Sequence, residues 1–316
     1  MLMTVVALIV AIAASSILTP VVRSIAQRRG LLDEPGERKV HAVAIPRMGG
    51  VAIAAAFYLG VAGGLAVALL GDAARPPTDH LPVILLGAAL IVGMGIIDDL
   101  FGMRARVKLA AQLVIATAVA ALGLTIFRLD GPWGSIALGG WAIPLTVAWF
   151  VAVINAINLI DGLDGLASGV TLTAMGAFFL IASADGAVPP ILLPLAAGAG
   201  GVIGFLRFNL YPATIIMGDT GSMLLGFLLA AAGISVTQSG PPGAPFWVPV
   251  AALGLALADT AWAILRRLVA GLPIFAPDKR HIHHQLLMAG LSERSAMLLL
   301  WLVSAGLGVV AVILAR

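Results

Sequence analysis

The chain has 316 residues, of which 61% are hydrophobic and only 10% are charged, and its mean hydropathy is +1.09. This composition excludes an ordinary soluble fold and indicates a protein that crosses a membrane many times. The chain contains no cysteine, which excludes disulfide bonds, thiolate metal sites and cysteine nucleophiles.

Ten apolar segments approach the length of ~20 residues that a membrane-spanning helix requires. They are continuous rather than alternating, which favours helices over a β-barrel because a helix satisfies its backbone hydrogen bonds within one segment. In chain order the predicted spans are 2–22, 48–70, 82–97, 108–126, 141–158, 165–184, 188–207, 221–237, 246–265 and 295–315. We expect an all-α, polytopic membrane protein with a single domain over 1–316. Between the fourth and fifth spans, Thr125–Trp141 is expected to form a small surface hairpin that turns at Gly131-Pro132.

The basic residues indicate how the chain is oriented. If the N-terminus is outside, the inside loops carry 15 of the 18 Lys and Arg residues, as the positive-inside rule requires. We therefore attribute the pI of 9.8 to topology and not to nucleic-acid binding, and we predict both termini outside. Four polar groups then lie at the cytoplasmic ends of spans: Asp98-Asp99, Asp161 with Asp164, Asp219, and His281 with His283 and His284. We expect these groups to form one site.

Asp98 and Asp99 end a wholly apolar span and are followed by Lys108. Two adjacent carboxylates repel each other unless a cation or a base offsets the repulsion, and such oxygen ligands suit Mg²⁺. The pair is interpreted as a metal ligand and a general base. The alternative is two solvated carboxylates at a helix end.

The segment from Asn155 to Asp164 gives the strongest local signal. Asn155, Asn158 and Asp161 recur every three residues and can share one face of a helix end. Gly162 then lets the backbone approach a ligand closely. Polar side chains at this depth are costly if they only pack, so the segment predicts a binding site.

Asp219 lies in a Gly218–Ser222 motif that opens the eighth predicted span. The amides of a helix N-terminus favour phosphate or another anion. An ordinary helix cap is the alternative. Asn209, just upstream, is expected to join the same face.

His281, His283 and His284 follow Arg280 and form an electropositive patch suited to phosphate groups. A solvated loop and a zinc site are the alternatives, although the chain offers no thiolate ligand for zinc. Lys39 and His41, after the first span, are either phosphate ligands or simple topology signals.

Asp259 differs from the other acids because it lies within the ninth predicted span. An acid inside a membrane segment is a functional hypothesis by default. A structural role, in which Asp259 pairs locally or faces the helix bundle, is equally compatible with the sequence.

Acids and bases are thus interleaved where a lipid headgroup could reach them. A divalent cation that bridges phosphates would explain this arrangement. The chemistry indicated is phosphoryl transfer to or from a lipid.

At these residues the chain resembles the polyprenyl-phosphate N-acetylhexosamine-1-phosphate transferases, the family of the bacterial WecA and TagO enzymes and, more distantly, MraY. The resemblance covers nearly the whole chain, and its motifs occur in order. They are Arg38-Lys39-x-His41, Pro46-x-x-Gly49-Gly50, Asp98-Asp99, Lys108, Asn155-x-x-Asn158-x-x-Asp161-Gly-x-Asp164-Gly, Asn209, Gly218-Asp219-x-Gly-Ser and Pro277-Asp-x-x-His281-x-His283-His284.

The resemblance implies transfer of a sugar 1-phosphate from a UDP-sugar to undecaprenyl phosphate with Mg²⁺ or Mn²⁺, and release of UMP. It implies Asp219 as the principal metal ligand, Asp99 near the metal, and Asp98 as the base that deprotonates the lipid phosphate. It implies Asn158, Asp161 and Asp164 as nucleotide contacts, with Gly162 and Leu163 lining the uracil pocket, and Lys39, Lys108, Asn209 and the histidines near phosphates or sugar. Our catalytic group is therefore Asp98, Asp99, Asp161, Asp164, His281, His283 and His284. Our substrate-binding group is Lys39, His41, Lys108, Asn155, Asn158, Gly162, Leu163, Asn209, Ile216 and Arg280.

The His-x-His-His form resembles the WecA and TagO branch, which implies UDP-N-acetylglucosamine as donor and a role in starting lipopolysaccharide or teichoic acid synthesis at the bacterial plasma membrane. A muramoyl-pentapeptide nucleotide, as used by MraY, is the alternative. A homodimer is a further expectation.

A secondary transporter is the alternative from another class, but transporters place their polar groups near the bilayer midplane, often within repeats. A CDP-alcohol phosphotransferase would show a run of aspartates in one helix. Direct attack by the lipid and a phospho-enzyme route both stay open.

Overall fold

The structure is a computed structural model that describes residues 1–33, 44–70, 80–184, 189–238, 244–273 and 280–316. In these residues the chain is almost entirely helical, which confirms the predicted all-α class. The helices are α1 (Leu2–Arg28), α2 (Gly49–Leu70), α3 (Leu81–Phe101), α4 (Ala105–Ala121), α5 (Ala142–Ile160), α6 (Leu166–Ala182), α7 (Leu192–Asn209), α8 (Gly218–Gln238), α9 (Trp247–Ala252), α10 (Gly254–Val269), α11 (Ile282–Met288) and α12 (Glu293–Leu314). A short 3₁₀ turn at Gly139–Trp141 precedes α5.

Two short antiparallel strand pairs accompany the helices. Strand β1 (Leu32–Asp33) pairs with β2 (Ile45–Pro46), and β3 (Arg128–Gly131) pairs with β4 (Gly134–Ala137). The second pair turns at Pro132 and Trp133, so the small hairpin expected between the fourth and fifth spans is confirmed.

Seven helices in the described residues are long and apolar enough to cross a membrane, and the protein is therefore a multi-pass membrane protein. These helices are α1, α2, α3, α5, α7, α8 and α12. The other three predicted spans correspond to α4 and α6, of 17 residues each, and to the pair α9 and α10. The predicted 246–265 span is divided at Leu253, where α9 ends and α10 begins. The count of ten spans and the outside position of both termini stay predictions.

Helix α8 is the centre of the bundle. Its most apolar stretch is 94% buried, and it contacts α2, α3, α5, α6 and α7. Its sequence is rich in Gly, Ala and Leu, and small residues let neighbouring helix backbones approach closely. Gly226 faces the backbone of Ile154 in α5, where an added Cβ would lie too close. The N-terminus of α8 is therefore held in a fixed place among several helices.

Helix α1 packs against α2 and α7 through small side chains. Ala7, Ala11, Ser15 and Thr19 are buried at intervals of four residues, which place them on one face of α1. Glycines stand opposite this face: Gly60 and Gly64 of α2 and Gly200 and Gly204 of α7. This close contact fixes α2, whose first residues border the site described next.

Candidate active site

One cavity lies where the ends of α3, α5 and α8 meet, and its lining is mainly acidic. Its volume is about 420 Å³, which is typical of small-molecule sites. Among the described lining residues, six aspartates face one arginine and one histidine. This confirms the expectation that separate polar segments meet at one end of the spans. The lining residues are Asp33, Arg47, Asp98, Asp99, Gly102, Asn158, Asp161, Gly162, Leu163, Asp164, Asn209, Ile216, Gly218, Asp219 and His284.

Asp99, near the end of α3, holds the first turn of α8. Its Oδ1 accepts a hydrogen bond from the backbone N–H of Asp219 at 2.9 Å. Its Oδ2 accepts from the backbone N–H of Thr220 at 3.0 Å and from the Thr220 hydroxyl at 2.5 Å. A carboxylate is stabilised there because the first N–H groups of a helix lack partners within the helix. The sequence predicted phosphate or another anion at these amides, and the anion found at Asp219 and Thr220 is the Asp99 carboxylate.

Lys108, in the first turns of α4, joins two carboxylates from other helices. Its ammonium group pairs with Oδ2 of Asp98 and with Oδ2 of Asp219. The Met103 N–H donates to Oδ1 of Asp98 at 2.6 Å, and Nδ2 of Asn158 donates to Oδ1 of Asp219 at 2.6 Å. Lys108 offsets the repulsion between the two acids. The structure thus places Lys108 and Asn158, both predicted to bind substrate, directly on Asp219.

Asn155 lies apart from the cavity and connects two helices. Its Nδ2 donates to Oε1 of Gln112 in α4 at 2.6 Å and to the carbonyl of Val151 at 2.8 Å. Gln112 is fully buried. Asn155 is not among the described lining residues; in the structure it connects α5 to α4, and its predicted contact with substrate stays a prediction. Gln112 was missed because a single Gln in a span gives no motif, although it lies one turn after Lys108.

The turn after α5 carries two of the predicted acids. Burial, together with the carboxylates of Asp219, Asp99 and Asp164, raises the pKa of Asp161 to about 8. Oδ2 of Asp164 accepts a hydrogen bond from the N–H of Ala213 at 2.7 Å, which ties the turn to the segment before α8. Both acids line the cavity as predicted.

Asn209, at the end of α7, also lines the cavity but is occupied by neighbours. Its Oδ1 accepts from the Ser168 hydroxyl at 2.9 Å, and its Nδ2 donates to the carbonyl of Ile215 at 3.2 Å. The side chain is buried. Asn209 therefore shapes the segment that leads into α8, and both of its polar atoms already have partners within the protein.

The start of α2 is hydrogen-bonded to the segment before α8. The Ile216 N–H donates to the carbonyl of Pro46 at 3.0 Å, and the Ile216 carbonyl accepts from Gly49 at 3.0 Å. A Cβ at Gly50 would overlap the backbone of Gly221, so only glycine fits this crossing. The predicted residue Ile216 lines the cavity as expected.

The three histidines begin α11 and occupy different depths. His284 lines the cavity, whereas His283 is buried with its ring against Gly162, where a Cβ would overlap it. Burial lowers the pKa of His283 to about 3, so its imidazole is neutral. His281 is also buried, and Arg280 is exposed outside the cavity. Of these four predicted residues, only His284 reaches the cavity directly.

Asp259, whose role the sequence left open, pairs with this segment. Its Oδ2 lies 2.8 Å from Nδ1 of His281, and its Oδ1 accepts from the N–H of Ile282 at 2.8 Å. Asp259 therefore connects the middle of α10 to the start of α11.

Four lining residues were not predicted as site residues: Asp33, Arg47, Gly102 and Gly218. Two of them, Arg47 and Asp33, carry charge. Arg47 looked like one of many topology signals, and only the pairing of β1 with β2 brings it beside Asp33. The Nε atom of Arg47 is buried and has no hydrogen-bond partner among the described residues. The predicted residues Lys39 and His41 lie outside the described residues.

The lining residues fit a hard divalent cation chemically. Carboxylate oxygens are the ligands that Mg²⁺ prefers, and burial beside three other carboxylates raises the pKa of Asp161, which a nearby cation would oppose. In the described part of the chain, no three His, Asp or Glu side chains are arranged as a ready coordination shell. The carboxylates are nevertheless ligands of the kind that Mg²⁺ or Mn²⁺ takes, and the bound cation stays a prediction. Lys108 already provides part of the positive charge between Asp98 and Asp219.

The family model and the similar proteins point to the same family. Residues 81–237 match the model of glycosyl transferase family 4. This range contains most of the cavity, including the Asp98 and Asp99 pair, the turn after α5 and the start of α8.

Similar proteins extend over nearly the whole chain. A Bacillus subtilis protein named probable undecaprenyl-phosphate N-acetylglucosaminyl 1-phosphate transferase is 38% identical, over 99% of this chain and 86% of its own length. A Mycobacterium leprae decaprenyl-phosphate N-acetylglucosaminephosphotransferase is 38% identical, over 90% of this chain and 77% of its own length. A Yersinia pestis undecaprenyl-phosphate alpha-N-acetylglucosaminyl 1-phosphate transferase is 32% identical, over 93% and 79%.

Proposed function

The chain belongs to glycosyl transferase family 4, and on this premise we propose that it transfers N-acetylglucosamine 1-phosphate from UDP-N-acetylglucosamine to undecaprenyl phosphate. An oxygen of the lipid phosphate attacks the phosphorus that bears the sugar, the bond to the bridging oxygen breaks, and UMP leaves. The product is a lipid diphosphate that carries the sugar and starts a cell-envelope polysaccharide. The names of the relatives support the sugar phosphate and the polyprenyl acceptor.

One observation carries the proposal: Lys108 lies between Asp98 and Asp219, two acids that line the cavity. Two phosphates that approach each other need positive charge nearby, and the protein supplies a cationic group next to the acids of the cavity. The Lys108 ammonium group can turn from the carboxylates towards an arriving phosphate. Arg47, whose Nε is buried beside the same cavity, supplies a second cationic group.

Asp98 is the group that accepts the proton of the lipid phosphate in this proposal. It lies at the end of α3, where a headgroup held at the membrane surface can reach it. When Lys108 moves towards a phosphate, Oδ2 of Asp98 loses its ion partner and becomes free to take a proton. The Met103 N–H keeps the other oxygen in place.

Asp219 with Asp99 beside it would hold Mg²⁺ or Mn²⁺, which would neutralise phosphate charge when bound. The protein itself orients Asp219 through Asn158 on one side and through the Asp99 contact to its backbone on the other. Asn158 is held in turn by its second hydrogen bond, to the Ser222 hydroxyl at 2.9 Å. Asp99 thus acts in this proposal mainly by fixing the start of α8.

The position of the cavity favours this enzyme over a transporter. Its acids come from the end of α3, the turn after α5 and the start of α8, whereas transporters bind substrates near the bilayer midplane. We place this end of the bundle on the cytoplasmic side of the plasma membrane, because the loops next to it carry most of the basic residues.

Purified protein assayed with a panel of nucleotide sugars tests the proposal. We expect UMP release from UDP-N-acetylglucosamine only when undecaprenyl phosphate and a divalent cation are both present. No UMP release, although both substrates are found to bind, would contradict the proposal. Preference for the UDP-muramoyl-pentapeptide would instead support the MraY-type alternative.

A further inference from the structure

Asp259 is a buried acid that no step of the proposed reaction uses. It lies within α10, it is 8% exposed, and its partner His281 is 5% exposed. Burying a carboxylate is costly unless its oxygens are bonded. Both oxygens are bonded here, to two adjacent residues at the start of α11. The paired residues Asp259 and His281 are 22 positions apart in the chain. The pairing therefore holds the start of α11 against α10.

The two contacts differ in chemistry. The backbone N–H of Ile282 can only donate, so Oδ1 of Asp259 must accept. Oδ2 faces Nδ1 of His281, and a carboxylate can only accept, so Nδ1 must carry the proton. In a neutral imidazole the other nitrogen, Nε2, is then an acceptor. The carboxylate thereby selects one tautomer of His281.

The same segment continues to the cavity. The ring of His281 lies parallel to that of His283, with their centroids 5.9 Å apart, and His283 lies 4.3 Å from His284. His283 packs against Gly162, and His284 and Gly162 both line the cavity. A shift at the start of α11 therefore moves two lining residues together.

We propose that Asp259 is a positioning residue that fixes the tautomer of His281 and anchors α11 so that His284 and Gly162 face the nucleotide sugar. The role of Asp259 in substrate binding rests on the proposed function, whereas its effect on the tautomer does not. Asp259 is not among the described residues that line the cavity.

Replacement by asparagine separates the two contacts. In Asp259→Asn, the Ile282 N–H still requires an oxygen acceptor, so the amide nitrogen faces Nδ1 of His281. That nitrogen donates, so Nδ1 becomes an acceptor and the proton moves to Nε2. The variant keeps the anchor and inverts the tautomer. Asp259→Ala removes both contacts.

Histidine ¹⁵N spectra of the full-length protein test the tautomer directly. The chain has five histidines, so single His→Gln variants assign the signals, recorded under alkaline conditions in which imidazoles are neutral. We expect Nδ1 of His281 to be protonated in the wild type and Nε2 in Asp259→Asn. Asp130→Asn, which changes a buried and ion-paired aspartate in β3, should leave the His281 signal unchanged. The same tautomer in wild type and Asp259→Asn would overturn the proposal.

Enzyme kinetics test whether the contacts of Asp259 hold the start of α11 in place. Asp259→Ala should raise KM for UDP-N-acetylglucosamine by roughly tenfold to a hundredfold, because a displacement of about 1 Å caused far from the reacting atoms can cost that much. Asp259→Asn should raise it less, because the Ile282 contact remains. A role only in folding would lower the yield of folded protein and leave the KM of that protein unchanged, and this result would overturn the anchor. If the wild type shows no turnover, the proposed function fails while the ¹⁵N result still decides the tautomer.

Discussion

The two ends of the helical bundle use charged residues differently. At the hairpin end, Arg128 pairs with Asp130 two positions away, beside an aromatic cluster that contains Trp133. At the cavity end, Lys108 pairs with Asp219, which is 111 positions away. The first pair stabilises a local turn. The second holds acids from separate helices at one point, which only the complete fold can do, so the cavity end should be sensitive in activity and the hairpin end only in stability.

The largest difference is expected for Asp219. Asp219→Asn should lower kcat roughly a thousandfold or more, in the range for loss of a central electrostatic group, while circular dichroism and thermal unfolding stay close to those of the wild type. Asp130→Asn is the matched change at the hairpin end and should keep its activity. Full activity of Asp219→Asn would remove Asp219 from the mechanism.

Asp219 could be predicted because an acid in an apolar chain is conspicuous, as are Asp98, Asp99 and Asp161. The role of Asp99 could not, because its bonds to the start of α8 depend on how two distant helices meet. The spacing of Asn155 and Asn158 places them on one face of α5. Asn155 nevertheless lies about one turn further from the cavity, where its side chain contacts Gln112. The helical fold itself could be predicted, since apolar length alone fixes it.

Replacing one basic residue at each end of the bundle by methionine compares how much each ion pair contributes to kcat. Lys108→Met leaves Asp98 and Asp219 without the charge that offsets their repulsion, and kcat should fall roughly 100-fold. Arg128→Met should change kcat by less than about twofold, because its partner Asp130 lies in the hairpin and not among the described lining residues of the cavity. Both are measured as UMP release at saturating substrate. Equal losses in the two variants would mean that the cavity end has no special role.

Stability should depend on pH through His283. Its pKa is lowered to about 3 in the folded protein, so the unfolded chain binds a proton below about pH 6.5 that the folded chain does not. Stability should therefore fall as the pH drops from about 6.5 towards 3, by up to roughly 1.4 kcal/mol per pH unit.

Thermal unfolding at several pH values measures this slope. His283→Gln should flatten it, and His80→Gln, at an exposed position outside α11, should not. A slope that is unchanged in His283→Gln would contradict the buried neutral imidazole.

The smallest effect on activity is expected for Asn155. Asn155→Ala should lower the free energy of unfolding by about 1–2 kcal/mol, because Gln112 loses its partner in a buried place. The KM for the nucleotide sugar should change by less than about twofold. Gln112→Ala should lower the free energy of unfolding by a similar amount. The double variant should lower it by less than the sum of the two single variants, because the two side chains contact each other. A large rise in KM at unchanged stability would instead support Asn155 as a substrate contact.

The central claim is that distant polar segments meet on one side of the membrane. Because the chain has no cysteine, single cysteines can be labelled with an impermeant reagent in sealed vesicles of known orientation. Suitable exposed positions are Arg104 after α3, Tyr211 before α8, Met288 at the end of α11, and Trp133 in the hairpin. We predict that the first three react from the cytoplasmic side and Trp133→Cys from the opposite side. Reaction of any of the first three from the same side as Trp133→Cys would contradict the account.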